Sequence, residues 1–229
     1  MQSSVIPSPT TIDVRELIIG SGPFGPNEVR AIADSLGTNT DTHRELRLTV
    51  QELQQVSDLS PAASVRLGVA LYLLGRSSEA VVSLKAGDGS ALALFALGLS
   101  QAALAAADDA CASFDAARTA GYPAGACLAA QANTLRAANR LEEAVAVLSN
   151  ATDEEKASAE YLSAQGAIAV ERGDSVTDTL NILEKAVESD SGQPLALFCL
   201  GVLHDRIGND DEAATNVRCS DILQQSGHS

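Results

Sequence analysis

The stretch that decides the fold is Leu97-Gly98-Leu99-Ser100-Gln101, followed by Ala110-Cys111-Ala112-Ser113-Phe114-Asp115-Ala116-Ala117. Leu94, Leu97, Gln101 and Leu104 fall on one stripe at the helical period, and Ala110, Phe114 and Ala117 fall on another. The reading is two short helices joined by a turn. Small residues at Gly98 and Ala110 let the two helices approach closely, and Phe114 fills the space beside that contact.

The same marks recur outward from this hairpin. Gly68, Gly98, Ala132, Gly166 and Gly201 lie 30, 34, 34 and 35 residues apart. Ala80, Ala110, Ala144, Thr179 and Ala213 follow at 30, 34, 35 and 34. Leu84, Phe114, Leu148, Leu183 and Val217 keep step with that second series, as do Gly87, Ala117, Ala151, Ala186 and Ser220. Gly75, Ala105, Asn139, Gly173 and Gly208 fall mid-unit, where Gly or Asn suits the left-handed turn that closes a first helix. A fixed period of this length indicates a stacked array.

The pattern resembles the tetratricopeptide repeat (TPR) family. Leu67-Gly68-x-x-Leu71, Leu97-Gly98 and Leu200-Gly201 look like the core of its first helix. Ala80-x-x-x-Leu84, Ala110-x-x-x-Phe114-x-x-Ala117 and Ala144-x-x-x-Leu148-x-x-Ala151 look like the core of its second, and Pro123 and Pro194 fall near its inter-repeat proline. The resemblance implies an all-α, right-handed α-solenoid of about five TPR hairpins whose first helices line a concave groove. The chain departs from the pattern in a short first unit, Gln131 and Gln165 where Leu is usual, Thr179 at a small position and one extra residue around 174–178.

The organisation read from these marks is a disordered N-terminus (1–12), an N-terminal helical segment (13–58), an array (59–225) and a tail (226–229). The units run about 59–88, 89–122, 123–156, 157–192 and 193–225. Within the N-terminal segment, Asp13-Val14-Arg15-Glu16 is a capping-box start for a short helix ending at Gly20. Asn27 is expected to cap a second helix ending near Gly37, and Asp41 to start a third.

Composition excludes several classes. The 229 residues carry 15 Lys and Arg against 30 Asp and Glu, a formal charge of −15, which is the opposite of a nucleic-acid footprint and disfavours anionic membranes. No secretory leader or membrane-spanning run is read, so a cytoplasmic protein is expected. Cys111, Cys127, Cys199 and Cys219 form no metal spacing and are read as packed small hydrophobes. His43, His204 and His228 pair with no cysteine at metal spacing, and His204 is read as a packed, hydrogen-bonded side chain. Asp108-Asp109, Asp153-Glu154-Glu155 and Asp210-Asp211-Glu212 are read as helix-terminal acids favoured by the dipole. No nucleophile, base and orienting acid are arranged for catalysis. No enzymatic activity, metal or cofactor is expected.

The inward positions of the first helices include Val65, Ala129, Ser163 and Ala167. The partner site is expected at Arg66, Val69, Phe95, Leu99, Asn133, Arg136, Phe198 and Val202. Such a groove lacks the several cations of the clamp by which some family members hold acidic C-terminal tails. It favours a hydrophobic strand or helix from a protein partner of unknown identity.

After Ala213 the pattern decays. Either the last helix caps itself through Asp221, Gln224 and Gln225, or the chain is a truncated or frameshifted form of a longer array. Ser60-Pro61-Ala62-Ala63, Phe24-Gly25-Pro26 and Asp205-Arg206-x-Gly208-Asn209-Asp210 are similar to a group of bacterial TPR proteins. Members of that group continue into a module like the C-terminal domain of the RNA polymerase alpha subunit, and nothing of that module is present here. Three functions follow as expectations: an interaction scaffold, a transcription-associated alpha-subunit-like protein, and a structural module that self-associates through its last repeat.

Overall fold

A computed structural model describes residues 12–228, with side chains through Asp221 apart from Thr38. The expected disorder of 1–11, the tail side chains and a cap through Gln224 and Gln225 lie outside the described residues. Ile12 packs against the N-terminal core.

The described chain is helical, without strands. Three helices come first: α1 (Val14–Ile19), α2 (Pro26–Thr38) and α3 (Thr40–Gln54). Five hairpins follow: α4 (Pro61–Leu73) with α5 (Ser77–Lys85), α6 (Ala91–Ala103) with α7 (Ala107–Thr119), α8 (Ala124–Ala137) with α9 (Leu141–Ser149), α10 (Ala159–Arg172) with α11 (Val176–Ser189), and α12 (Pro194–Arg206) with α13 (Asp210–His228). A single 3-10 turn, Glu155–Ala157, precedes α10.

Local chemistry sets the helix ends. Ser60, Ser90 and Ser158 cap α4, α6 and α10, each hydroxyl accepting the backbone N–H three residues on. The first helices close with left-handed residues at Gly75, Ala105, Asn139, Gly173 and Gly208. At each, the next residue's N–H reaches back to a carbonyl five residues earlier, as in Arg76 to Leu71 at 2.8 Å and Arg140 to Leu135 at 2.9 Å. α1 is capped by Asp13, whose carboxylate accepts from the Glu16 N–H at 2.8 Å.

Two helix starts differ from the sequence expectation. α2 begins at Pro26, not after Asn27, because proline suits a first helical position and the Glu28 carboxylate accepts the Gly25 N–H at 2.8 Å. α3 begins at Thr40, capped by Asn39, which accepts the Asp41 N–H at 2.9 Å.

Close approach inside the hairpins is literal. A Cβ added to Gly98 would lie 2.6 Å from Phe114, one on Gly68 2.5 Å from Leu84, and one on Gly166 2.3 Å from Leu183. Phe114 is fully buried. Thr179, at the small position of the fourth unit, is buried too, and its hydroxyl is satisfied by the Ser175 carbonyl at 2.8 Å. Gln131 is buried and donates to the Cys111 carbonyl at 3.1 Å, which explains how an amide replaces an apolar residue there.

The N-terminal helices do more than extend the array. α1 and α3 pack on α4. Ile32 and Leu36 of α2 join the same core as Val14, Ile18 and Leu46. Yet α2 also packs along α13, the last helix. Its 13 residues span about 20 Å. It thereby joins α3, which packs on α4, to the last helix, and α13 meets α2 much as α5 meets α6 and α7 meets α8.

Candidate functional site

The first helices α6, α8 and α10 bring Phe95, Leu99, Ala129, Asn133 and Ser163 around one cavity of about 460 Å³. Its far rim is made by Gln193 and Leu195 from the start of α12, and by Glu160 from the first turn of α10. Many of the remaining lining residues are alanines, so the space exists because the side chains that border it are short.

Two polar atoms in this wall have no hydrogen-bond partner although they are buried: Asn133 Oδ1 and Ser163 Oγ. Ser163 is 2% exposed. A buried polar atom left unpaired costs about 1–3 kcal/mol, and a bound ligand removes that cost by supplying the partner. Phe95 is backed by Tyr122, stacked at 4.0 Å between ring centroids, and by Phe114 at 5.4 Å. Burial first, then the neighbouring Cys127 and Glu160 charges, push the Tyr122 phenol up to about 12.

Of the residues expected to form the site, the structure brings Phe95, Leu99 and Asn133 together in the cavity wall. Arg136, one turn beyond Asn133, pairs with Glu171, and its Nε is buried without a partner. Phe198 lies on α12 with 45% of its surface exposed, outside the cavity wall. Val202 lines a separate depression with Gly201, Asp205 and Val217 between α12 and α13.

Arg66 and Val69 are not part of an open groove. Arg66 is 8% exposed and Val69 is 1% exposed. Arg66 donates to the Leu17 carbonyl at 2.5 Å and to the Gly22 carbonyl, and its guanidinium lies 4.9 Å from the centroid of the Phe24 ring. The segment between α1 and α2 thus fills the concave face at the first repeat. The sequence placed both residues at inward positions, but nothing in it showed that the chain's own N-terminal segment covers them.

Sequence reasoning also missed Glu160, Gln193 and Leu195. They sit at helix starts, where repeat periodicity carries no information about which way a side chain turns. Ser163 was an inward position, but its unpaired hydroxyl emerged only from packing.

Cys127 and Cys199 are buried, as expected for packed thiols, and burial pushes each up to about 11. Cys111 is half-buried, whereas Cys219 is exposed on α13 and does not pack as expected. His204 is half-buried, with its Nδ1 3.4 Å from the Asn209 amide nitrogen. Among the described residues no group of three or more His, Cys, Asp or Glu is placed to hold a metal. Among them, too, no helix is long and apolar enough to cross a membrane.

With this geometry, the fold is that of a tetratricopeptide-repeat-like solenoid of helical hairpins. The chain is similar in structure to a chain of the APC/C hetero-tetramer Cut9–Hcn1, with TM-score 0.64 and 14% identity over 86% of this chain and 39% of that one. It therefore spans about two fifths of that protein's length. It is also similar to YrrB, described as a TPR protein with an unusual peptide-binding site, at TM-score 0.44 and 16% identity over 78% of this chain and 92% of that one. MamA from Desulfovibrio magneticus RS-1 matches at TM-score 0.48 and 20% identity over 74% of this chain and 98% of that one. No protein-family model and no curated protein matches the sequence.

Proposed function

We propose that this chain is a non-catalytic interaction scaffold that holds a segment of a protein partner in its concave groove. The observation that carries the reading is the cavity beside Phe95 and Leu99, with Asn133 Oδ1 and Ser163 Oγ buried and unpaired in its wall. An apolar cavity with a few converging polar atoms is how a binding pocket combines affinity with orientation. The TPR fold supports the same reading, because its first helices form the surface such proteins present to partners. At the first repeat the groove is filled by the chain's own segment, so the site lies from α6 onward.

The test compares capture of partners from a cell lysate by the chain, by a Leu99→Glu plus Asn133→Glu variant, and by a Val82→Glu control. Val82 lies on α5 and is 71% exposed. Loss of capture by the groove variant alone, with helical content unchanged by circular dichroism, supports the groove. Identical captured sets from all three place the interaction elsewhere.

A further inference from the structure

The cavity carries charge of one sign only. Glu160 is the one ionisable residue among those that line it. Asn133 Oδ1, which is unpaired, accepts hydrogen bonds, and the unpaired Ser163 hydroxyl can accept one as well as donate. Phe95 adds an aromatic face, stacked on Tyr122. Glu160 shares the cavity wall with Phe95, and its charge acts on Tyr122 behind that ring and on Arg30 of α2.

The surrounding charges do not cancel this. Arg30 is a cation on which the Glu160 charge acts, but its guanidinium is bonded to Asp190 at 3.0 Å. Glu160, Asp190 and Arg30 together leave one negative charge at the rim. Arg136 stands one turn past Asn133 and is held by Glu171. The whole chain carries −15, which raises the local concentration of cations and repels anions.

Size limits the occupant as well. One turn of α-helix about 10 Å across fills roughly 400 Å³. The cavity of about 460 Å³ therefore holds little more than one such turn, and suits one long side chain with its flanking backbone.

Resting on the groove reading, we propose that the cavity takes a cationic side chain, Lys or Arg, presented by an extended partner segment beside an apolar residue. The ammonium or guanidinium lies between Glu160 and the face of Phe95 and donates to Asn133 Oδ1 and Ser163 Oγ. Its aliphatic stem lies against Leu99 and the alanines. A cation over an aromatic face with a carboxylate nearby is favoured by the ring quadrupole as well as by charge.

The test selects binders from a random heptapeptide display library on the immobilised full chain. The expected enrichment is Lys or Arg next to Leu, Ile or Phe. A synthetic peptide of that kind should bind about fivefold more tightly than its Lys→Gln analogue, the upper end for a solvent-exposed charge pair. That ratio should fall toward one in Glu160→Gln, leaving only what Phe95, Asn133 and Ser163 contribute, and shrink in high salt. Ala130→Leu fills the cavity from a half-buried position and should abolish binding of both peptides. Circular dichroism checks that each variant is folded. Enriched peptides without a cation, still lost on Ala130→Leu, overturn the cation proposal and leave the groove reading standing. Peptides bound equally by Ala130→Leu and Leu99→Glu overturn both, as does the absence of any enriched sequence.

Discussion

Arg30 donates from Nη2 to Asp190 Oδ2 at 3.0 Å, although the two residues are 160 positions apart in the chain. The contact fastens α2 to the loop between α11 and α12. Asp190 also accepts the Gly192 N–H at 2.9 Å and the Gln193 side-chain amide at 3.1 Å. Gln193 lines the cavity, so the fastening runs from the N-terminal helices to the rim of the groove.

Asp190 should matter more than Arg30. The Arg30 side chain is 60% exposed, so Arg30→Ala is expected to cost less than about 1 kcal/mol. Asp190→Ala removes three hydrogen bonds and is expected to cost about 1–3 kcal/mol. Hydrogen exchange in α2 and in residues 190–195 should rise in both variants, and further in Asp190→Ala. Unchanged exchange in α2 would show that the contact fastens nothing. Burial, the largest single influence, pushes the Asp190 carboxyl up, but its hydrogen bonds and Arg30 outweigh it and hold the group below its ordinary range. Its contribution is therefore present above the unfolded value of about 3.9 and is lost as pH falls through the lower folded value. The Tm difference between the chain and Asp190→Asn should shrink on acidification through that window.

Arg66 holds the N-terminal segment against the first repeat. Its two hydrogen bonds go to backbone carbonyls, and its fork over Phe24 cannot be copied by a point charge. Arg66→Ala is expected to cost about 2–4 kcal/mol, because the Leu17 and Gly22 carbonyls lose a charged donor. Arg66→Lys should recover only part of this. Limited proteolysis should cut the variant near residues 20–25 before it cuts the array. Cleavage at the wild-type rate would mean that Arg66 is not the fastening.

Gly98 is expected to reject even a methyl group, since its added Cβ would stand 2.6 Å from Phe114. Gly98→Ala should cost about 1–3 kcal/mol by overpacking. The double variant with Phe114→Leu should be less destabilised than the sum of the two singles, because the smaller side chain relieves the clash. Additive losses in urea unfolding would argue against direct contact between the two positions.

Ala105 occupies the left-handed region at φ 59° in a turn whose counterparts at positions 75, 173 and 208 are glycines. A left-handed alanine is strained by about 1 kcal/mol through its Cβ. Ala105→Gly should therefore raise stability by about that amount, read as an increase in Tm. A decrease would mean that backbone entropy outweighs the relief of strain.

The repeat was legible because hairpin packing leaves a local trace. Gly98 and Phe114 are both needed to bring two helices together, so they recur at a fixed spacing, and so do the turn residues Gly75 and Asn139. Part of the cavity wall was legible for the same reason: Phe95, Leu99 and Asn133 sit at inward positions of first helices. The rest came from contacts that no period encodes. Cys219 was misread for a different reason: its counterparts Ala86, Asn150 and Lys185 are exposed as well, so the register pointed to exposure where the residue type suggested packing.

By itself, then, the sequence determined the all-α hairpin array, its turns and its acidic character, all of which depend on residues within one unit. The tertiary structure decided what happens between units. It covered Arg66 with the chain's own backbone, joined α2 to α13 and turned Glu160 and Gln193 toward Asn133. Such contacts join residues 160 positions apart and more. They follow from the curvature built up over five stacked hairpins, which is a sum of small rotations that no single segment contains.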